Sequence, residues 1–528
     1  MRPSTVKELN RALEHALCDA EAAATLAKVL LKREYPRAAF ASAWEALLRN
    51  QFHDILPGSG VRAVYDDAHR ELEGALAVAR AQRDGALEQL SHAHGSGERL
   101  VVWNLSFDDR PLSLRLPVPA LPELDLARLS LSAPDGSEVR TEVIGSELHV
   151  VGSVVVPGLG YLSIGYPGLE AGARRATQAA GRTAGERVPD PMVLENEHLR
   201  AEVAPDGSLI SLVHRSSGRE ALAGPGNQLW LYPDVPREWE GWELDATYPS
   251  AGERLLAISP PERLPGQLQQ AIRVRYDAQG SEVTQTYALR RGSRRLEILT
   301  AVQWRGRRLL LRAQTPLNVR AASATFETAF GTVARSTHSN TSWDAAQFEV
   351  PGHRFADLSE AEFGVSLLTR SKYGYSAKGN VLGLSLLRGP LMPDPSADAG
   401  EHTFVYALYP HAGDWRNGTL REAHDLNAPL RAYFSAVRGS EAGSASAGRL
   451  LSVGHVALRL SALKLSEDND QSVILRVYDA HGARGLLQPD GLGVRRWSRV
   501  DLLEQPEAGE LSFTPYKVVS LESGLFGK

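Results

Sequence analysis

Apolar residues recur at helical spacing through the first 93 positions and then switch to alternation. "STVKELNRALEHALCDAEAAATLAKVLLKREY" (4–35) predicts a long first helix, with Ser4 as its N-cap and Glu8 shortly after. Tyr35-Pro36 breaks that pattern. "RAAFASAWEALLRNQFHDIL" (37–56) predicts a second helix with Trp44, Leu48 and Ile55 on one face, stopped by Pro57-Gly58. "VRAVYDDAHRELEGALAVARAQRDGALEQL" (61–90) predicts a third. Three long helices with short connections imply an antiparallel bundle.

Beyond "HAHGSG" the period becomes two. "LSLRLPV" (112–118), "AIRVRY" (271–276) and "SVILRVYD" (472–479) alternate apolar and polar residues, as strands with one buried face do. "APDGSL" (204–209) reads as a hairpin turn. Gly and Pro punctuate the chain to its end and no long helical pattern intervenes, so the strands belong to antiparallel sandwiches. The expected fold class is α+β multidomain: a three-helix bundle at 1–93, a first β domain at 94–189, a central β super-sandwich at 190–436 and a C-terminal β domain at 437–528. "EAGARRATQAAGRTAGERV" (170–188) and "VRGSEAGSASAG" (437–448) read as linkers.

Composition narrows the partners. A net charge of −5 without blocks of like charge argues against nucleic acid or a membrane surface. No apolar run reaches membrane-spanning length, and an amphipathic, partly acidic N-terminus reads as neither signal nor transit peptide. Cys18 is the single cysteine, so no internal disulfide or Cys-rich metal site is available, and a cytoplasmic location is expected. "NLS" (104–106), "NTS" (340–342) and "NGT" (417–419) are read as chance matches to a glycosylation pattern.

Chemistry concentrates in "NQFHDILPGS" (50–59). A histidine closing a helix helps cap carbonyls and complements the dipole, while Asp54 there is less favourable for it. Two readings therefore stand for His53 and Asp54, a helix end or a site. The loop "YPDVPREWEGWELD" (232–245) has a sugar-facing composition. Trp239 and Trp242 suit stacking on a pyranose, and Asp234, Glu238 and Asp245 suit hydroxyls. The other reading is a surface loop over a sandwich edge. His92 and His94 form a potential metal pair at a frayed helix end, and His338 and His353 read as structural.

The wider stretch "WEALLRNQFHDILPGSGVRAVYDDAHREL" (44–72) resembles the bundle segment of family 38 glycoside hydrolases, the zinc-dependent α-mannosidases. The resemblance extends, in family order, through "VVWNLSFDDR" (101–110), "LENEHLRAEVAPDGSLISLVHRSSGRE" (194–220), "GTVARSTHSNTSWDAAQFEVPGHRFADLSE" (331–360), "LSLLRGPLMPDPSADAGEHTFVYALYPHAGDW" (384–415) and "SALKLSEDNDQSVILRVYD" (461–479). It implies that His53 is a zinc ligand, that Asp54 lies at the sugar, and that Arg388 sits near the substrate. It also implies an α-linked mannose substrate. The family's N-terminal catalytic barrel, with its His-x-Asp pair, aspartate nucleophile and acid/base aspartate, has no counterpart in these residues. A retaining glycosidase needs two carboxyl groups, and a catalytic zinc needs about three protein ligands. The expectation is a chain resembling the C-terminal portion of an α-mannosidase, inactive alone, that works with an upstream polypeptide carrying the barrel. The alternative is a stand-alone carbohydrate-binding or scaffolding β-protein.

Overall fold

The computed structural model describes residues 3–94, 97–120, 126, 129–165, 192–437, 446–494 and 496–525. Three helices open the chain: α1 (Pro3–Leu31), α2 (Arg37–Arg49) and α3 (Arg62–His94). Leu13, Leu17 and Leu26 of α1 and Leu72, Leu76 and Leu87 of α3 are buried in one core. This core does not stop at the bundle, because Leu463, Val473, Leu475 and Leu521 of the C-terminal β module belong to it as well. Thr25 Oγ1 of α1 donates to the Leu463 carbonyl at 3.3 Å. The long helix thus serves as a spine for the last domain.

Helix boundaries differ from the sequence pattern in three places. Ser4 is not an N-cap by its side chain. Its backbone N–H donates to Asp398 Oδ1 at 2.8 Å, and its Oγ pairs with His402 Nδ1 at 3.0 Å. A carboxylate from the β region therefore satisfies an orphan donor of α1 and complements its dipole. α1 ends at Leu31, where Lys32 turns left-handed, before Tyr35-Pro36 is reached. α2 ends at Arg49 rather than running to Leu56, and it buries Phe40, Ala43 and Leu47, leaving Leu48 largely exposed.

The rest of the described chain is mainly antiparallel β-structure, interrupted by the short helices Ser342–Ala346 and Thr419–Asn427. The predicted strands appear within Arg110–Pro117, Gln269–Ala278 and Ser472–Asp479, and the 204–209 turn joins Leu199–Val203 to Leu209–His214 with Gly207 at positive φ. A first sheet of eight strands takes six of them from Gly97–Gly165. Arg431–Val437 and Ser446–Arg449, on either side of the expected cut near 440, both pair into this sheet. Part of the expected 437–448 linker is thus a strand, while 438–445 and the whole of 170–188 lie outside the described residues. The central region stacks a six-stranded sheet on a nine-stranded one, with a shared core that includes Tyr287, Trp304, Phe326 and Leu384. No helix among the described residues is long and apolar enough to cross a membrane.

Buried charge joins these units. Arg295 donates to Glu297 Oε1 from Nε at 3.1 Å and Nη2 at 2.9 Å, and from Nη1 to Glu422 Oε2 at 2.8 Å and Asp425 Oδ2 at 2.9 Å. Arg290 reaches Glu297 at 2.8 Å, and Arg110 of the first sheet reaches Asp425. One network therefore links the first sheet, the central sheets and the helix Thr419–Asn427.

α1 also meets that helix through two histidine rings, His15 and His424, whose centroids are 5.8 Å apart in an edge contact. Burial first, then Arg354, holds both imidazoles well below the usual histidine range. Arg11 faces His15, and Arg110, Arg459 and Asp425 face His424, so only Asp425 favours protonation. A depressed histidine pKa means that the unfolded chain binds more protons below about pH 6.5, so its stabilising effect is present above that pH and is lost as pH falls. Each ring contributes about 1.4 kcal/mol per pH unit across its window. The melting midpoint should fall between pH 7.5 and 5, and the variant His15→Gln/His424→Gln should show a shallower fall. Parallel pH–midpoint curves for the two proteins would contradict this.

Candidate functional site

The stretch 50–60 is a tight series of turns between α2 and α3. Asn50 starts it. This buried residue turns its Nδ2 back to the Ala46 carbonyl at 2.8 Å and across to Glu71 Oε2 of α3 at 2.9 Å. Its side chain ends α2, which is why the apolar spacing that continues to Leu56 is not helical. Lys7 Nζ of α1 donates to the Pro57 carbonyl at 2.6 Å, and Gln51 Nε2 reaches Asn10 and Glu14. Tyr65, fully buried on α3, accepts from the Gly60 N–H at 2.6 Å and donates to the Asp54 carbonyl at 3.3 Å. The backbone of the loop is held from all three helices.

His53 is left free of these tasks. Its side chain is 76% exposed, its ring lies 4.2 Å from that of Phe52, and its Nε2 is 3.5 Å from Asp54 Oδ2. Asn50, not His53, caps the helix. Asp54 is partly exposed and accepts from Ser59 Oγ at 3.2 Å.

Two further loops meet this one at one end of the six-stranded sheet. Strands Gln228–Pro233 and Val381–Arg388 flank Leu309–Pro316, which puts Asp234 and Arg388 at the same end. The loop after Asp234 carries Trp239 and Trp242, half or more exposed, with ring centroids 6.1 Å apart and nearly perpendicular. Its Gly241 is wedged: a Cβ there would stand 2.9 Å from the Met392 carbonyl, 3.0 Å from Pro393 Cδ and 3.7 Å from Ser59 Cα. Glu240 ties the same loop to the Leu391 N–H at 2.8 Å and to Arg308 Nε at 2.9 Å. The His53–Asp54 turn, the Trp239/Trp242 loop and the segment after Arg388 therefore form one junction.

The structure changes the role expected for some of these residues. Asp234, expected to meet hydroxyls, is 2% exposed and committed to Arg388. Asp245 is half-buried in its loop, where its carbonyl accepts from the Tyr248 N–H at 3.1 Å. Outside the junction, His92 bonds Ser435 Oγ at 3.0 Å, and the side chain of His94 lies outside the described residues. His353 packs edge-on against Tyr373, and burial lowers its pKa to about 4. His338 lies 3.5 Å from Asp344. A separate cleft of about 620 Å³, lined by Glu8, Arg62, His69, Glu401 and His402, contains none of the residues expected from sequence at a metal or sugar site.

Sequence reasoning missed Lys7, Asp398 and Tyr65. Burial lowers the Lys7 pKa to about 8 against the pull of Asp398, with the Arg388 charge adding to the fall. Lys7 and Asp398 act across long sequence separations, of which a short-range pattern carries no trace, whereas Tyr65 bonds Gly60 and Asp54 nearby in the chain. Among the described residues no group of three or more His, Cys, Asp or Glu is arranged to hold a metal. His53 therefore fits zinc as one imidazole donor, and these residues alone do not make a zinc site.

Residues 3–90 match the family model for the alpha mannosidase middle domain, 194–396 that for the glycosyl hydrolases family 38 C-terminal domain, and 457–521 that for the family's C-terminal beta sandwich domain. The chain is 33% identical over 539 residues to alpha-mannosidase 2C1 of Homo sapiens, covering 98% of this chain and 48% of that protein. It is 28% identical to alpha-mannosidase G of Dictyostelium discoideum, over 83% of this chain and 42% of that one. A crystal structure of an alpha-mannosidase from Enterococcus faecalis V583 shares the fold with a TM-score of 0.78 at 16% identity, covering 99% of this chain and 67% of the other. The chain spans about half the length of the curated relatives it matches.

Proposed function

Because the chain belongs to glycosyl hydrolase family 38, with its middle, C-terminal and β-sandwich domains, we propose that it is the sugar-facing half of an α-mannosidase. It works with the family's catalytic barrel, whether that lies on the same polypeptide or on another. The observation that carries this reading is His53, presented to solvent on a loop whose backbone is fixed from three helices, with no capping task of its own. In the complete enzyme His53 would be one ligand of a zinc ion, which would supply an electrophilic anchor for substrate oxygens. Asp54 accepts from a sugar hydroxyl, Trp239 and Trp242 offer faces for a pyranose, and Arg388 and Asp245 would add polar contacts from the end of strand Val381–Arg388 and from the Trp239/Trp242 loop. The substrate class is α-linked mannose, and the single cysteine suits the cytoplasm.

Alone, the chain is inactive on this reading. A retaining hydrolase needs a nucleophile and an acid/base about 5–5.5 Å apart. At the junction Asp234 and Glu240 are instead committed to Arg388 and Arg308. The purified chain, with zinc added, is expected to show no turnover of p-nitrophenyl α-mannoside, and the barrel-carrying polypeptide is expected to restore it. Turnover by the chain alone that is lost on changing one of its own carboxylates would sink the proposal.

The same junction supplies the contact for that partner. Phe52, Val61, Val235, Trp239, Trp242 and Met392 are each half or more exposed around it, and apolar patches larger than a few hundred Å² mark interaction surfaces. The chain alone is expected to bind a hydrophobic dye and to self-associate, and the partner is expected to suppress both. A monodisperse, dye-silent chain would argue against this surface. The second reading, a stand-alone carbohydrate-binding protein, draws on the exposed Trp239–Trp242 pair. Quenching of their fluorescence by methyl α-mannoside in the chain alone would favour it.

A further inference from the structure

Asp234 differs from the other carboxylates at the junction in being shut away from water. It follows the strand Gln228–Pro233 and is 2% exposed. Both of its oxygens go to one guanidinium. Arg388 Nη2 donates to Oδ1 at 3.0 Å, and Nε donates to Oδ2. The same Nη2 donates to the Glu243 carbonyl of the Trp239/Trp242 loop. This is a side-on pairing. It uses the Nε edge of the fork and turns Nη1 away from the carboxylate. Among the described residues no hydrogen bond is recorded from Nη1, and the Arg388 side chain keeps 24% of its surface exposed.

We propose that Asp234 is a positioning residue that fixes the plane of Arg388, so that Nη1 points at a hydroxyl oxygen of the sugar. This rests on the reading of the junction as sugar-facing. A free arginine side chain has many rotamers, and ordering it on binding weakens affinity. Here the order is imposed when the protein folds. The register supports it: Leu310 pairs with Arg388 and Leu309 with Pro233, so the two side chains flank one strand end that cannot slip without breaking the sheet. A purely structural ion pair would anchor the Trp239/Trp242 loop and do nothing more, and the test separates the two.

The experiment uses the full chain in complex with the barrel-carrying polypeptide and p-nitrophenyl α-mannoside as substrate. Asp234→Asn and Arg388→Ala are each expected to lower kcat/KM about tenfold or more, chiefly through KM, as losing a charge-assisted hydrogen bond does. The double variant should fall no further than Arg388→Ala alone, because Asp234 acts through Arg388. Asp234→Glu, which keeps the charge one methylene further out, should recover part of the loss, and it is the variant to read if Asp234→Asn does not fold. A wild-type KM in Asp234→Asn, or losses that multiply in the double variant, would overturn the proposal. So would an active complex indifferent to Arg388→Ala. If the complex shows no turnover at all, the functional reading fails instead. The positioning claim is then decided on this chain alone by the exchange of the Arg388 Nε–H. Slow exchange in wild type that Asp234→Asn accelerates about tenfold or more supports it, and unchanged exchange refutes it.

Discussion

His53→Ala is expected to strip zinc from the complete enzyme and to abolish most of its α-mannosidase rate, while the melting midpoint of this chain moves by less than about 2 °C. The two halves of that expectation have separate causes. His53 is 76% exposed and makes no bond to a helix carbonyl, so its loss removes little that holds the fold. Surface substitutions of that kind usually change stability by no more than about 0.5 kcal/mol. A zinc ligand is another matter, since outer-shell partners alone are worth about 10–100-fold in metal affinity and a direct ligand is worth more. Asp54→Asn should spare zinc and slow turnover, because it removes a charged acceptor and leaves the imidazole in place. The measurements are metal content per complex, rate and melting midpoint for wild type and both variants. Full zinc and full rate in His53→Ala would reduce the His53–Asp54 motif to a surface turn.

The second large effect concerns stability. Arg295→Ala is expected to destabilise the chain by about 3–5 kcal/mol at pH 7. The Arg295 side chain is 4% exposed and is shared by Glu297, Glu422 and Asp425, so its removal leaves buried carboxylates short of countercharge. Burial pushes the Glu297 pKa up, but Arg290, Arg115 and Arg295 outweigh it and hold it well below the usual carboxylate range. Asp425 is also held low, by Arg110 and Arg295 against burial. A depressed carboxylate contributes stability above its unfolded pKa, near 4, and loses it as pH falls through the folded value. The gap between wild type and Arg295→Ala should therefore be full at pH 7 and narrow below about pH 4. Urea unfolding at both pH values reads it, taking the earliest cooperative transition because a multidomain chain is not two-state. A gap under about 1 kcal/mol at pH 7 would mean that the remaining arginines suffice.

Part of the junction was legible in the residues themselves. "QFHDILPGS" drew attention because a His–Asp pair sits badly inside a greasy helix, and the structure resolves the misfit by ending α2 at Arg49. The aromatic loop was legible by composition, since a folded domain has little reason to expose Trp239 and Trp242 together. Asp234 was misread. Its neighbours in sequence are those of a surface loop, and its burial comes from Arg388, 154 positions away. Leu48 was misread for a related reason. The helical pattern has two apolar stripes, and only docking against α1 and α3 selects the one with Phe40, Ala43 and Leu47.

By itself the sequence determined element type and class: helices where apolar residues recur every three to four positions, antiparallel strands where they alternate, and turns where Gly and Pro interrupt. Those are local properties, set by backbone geometry and by which face each side chain takes. It also marked His53 and Asp54 as candidates by motif. Only the tertiary structure decided that α1 takes its N-terminal cap from Asp398, that the strands on either side of 440 close the first sheet, and that the turn after α2 meets loops from the central domain. These outcomes hinge on pairings between residues hundreds of positions apart. Their free energy comes from burying a shared surface and satisfying charges across it, which no local window of the chain contains.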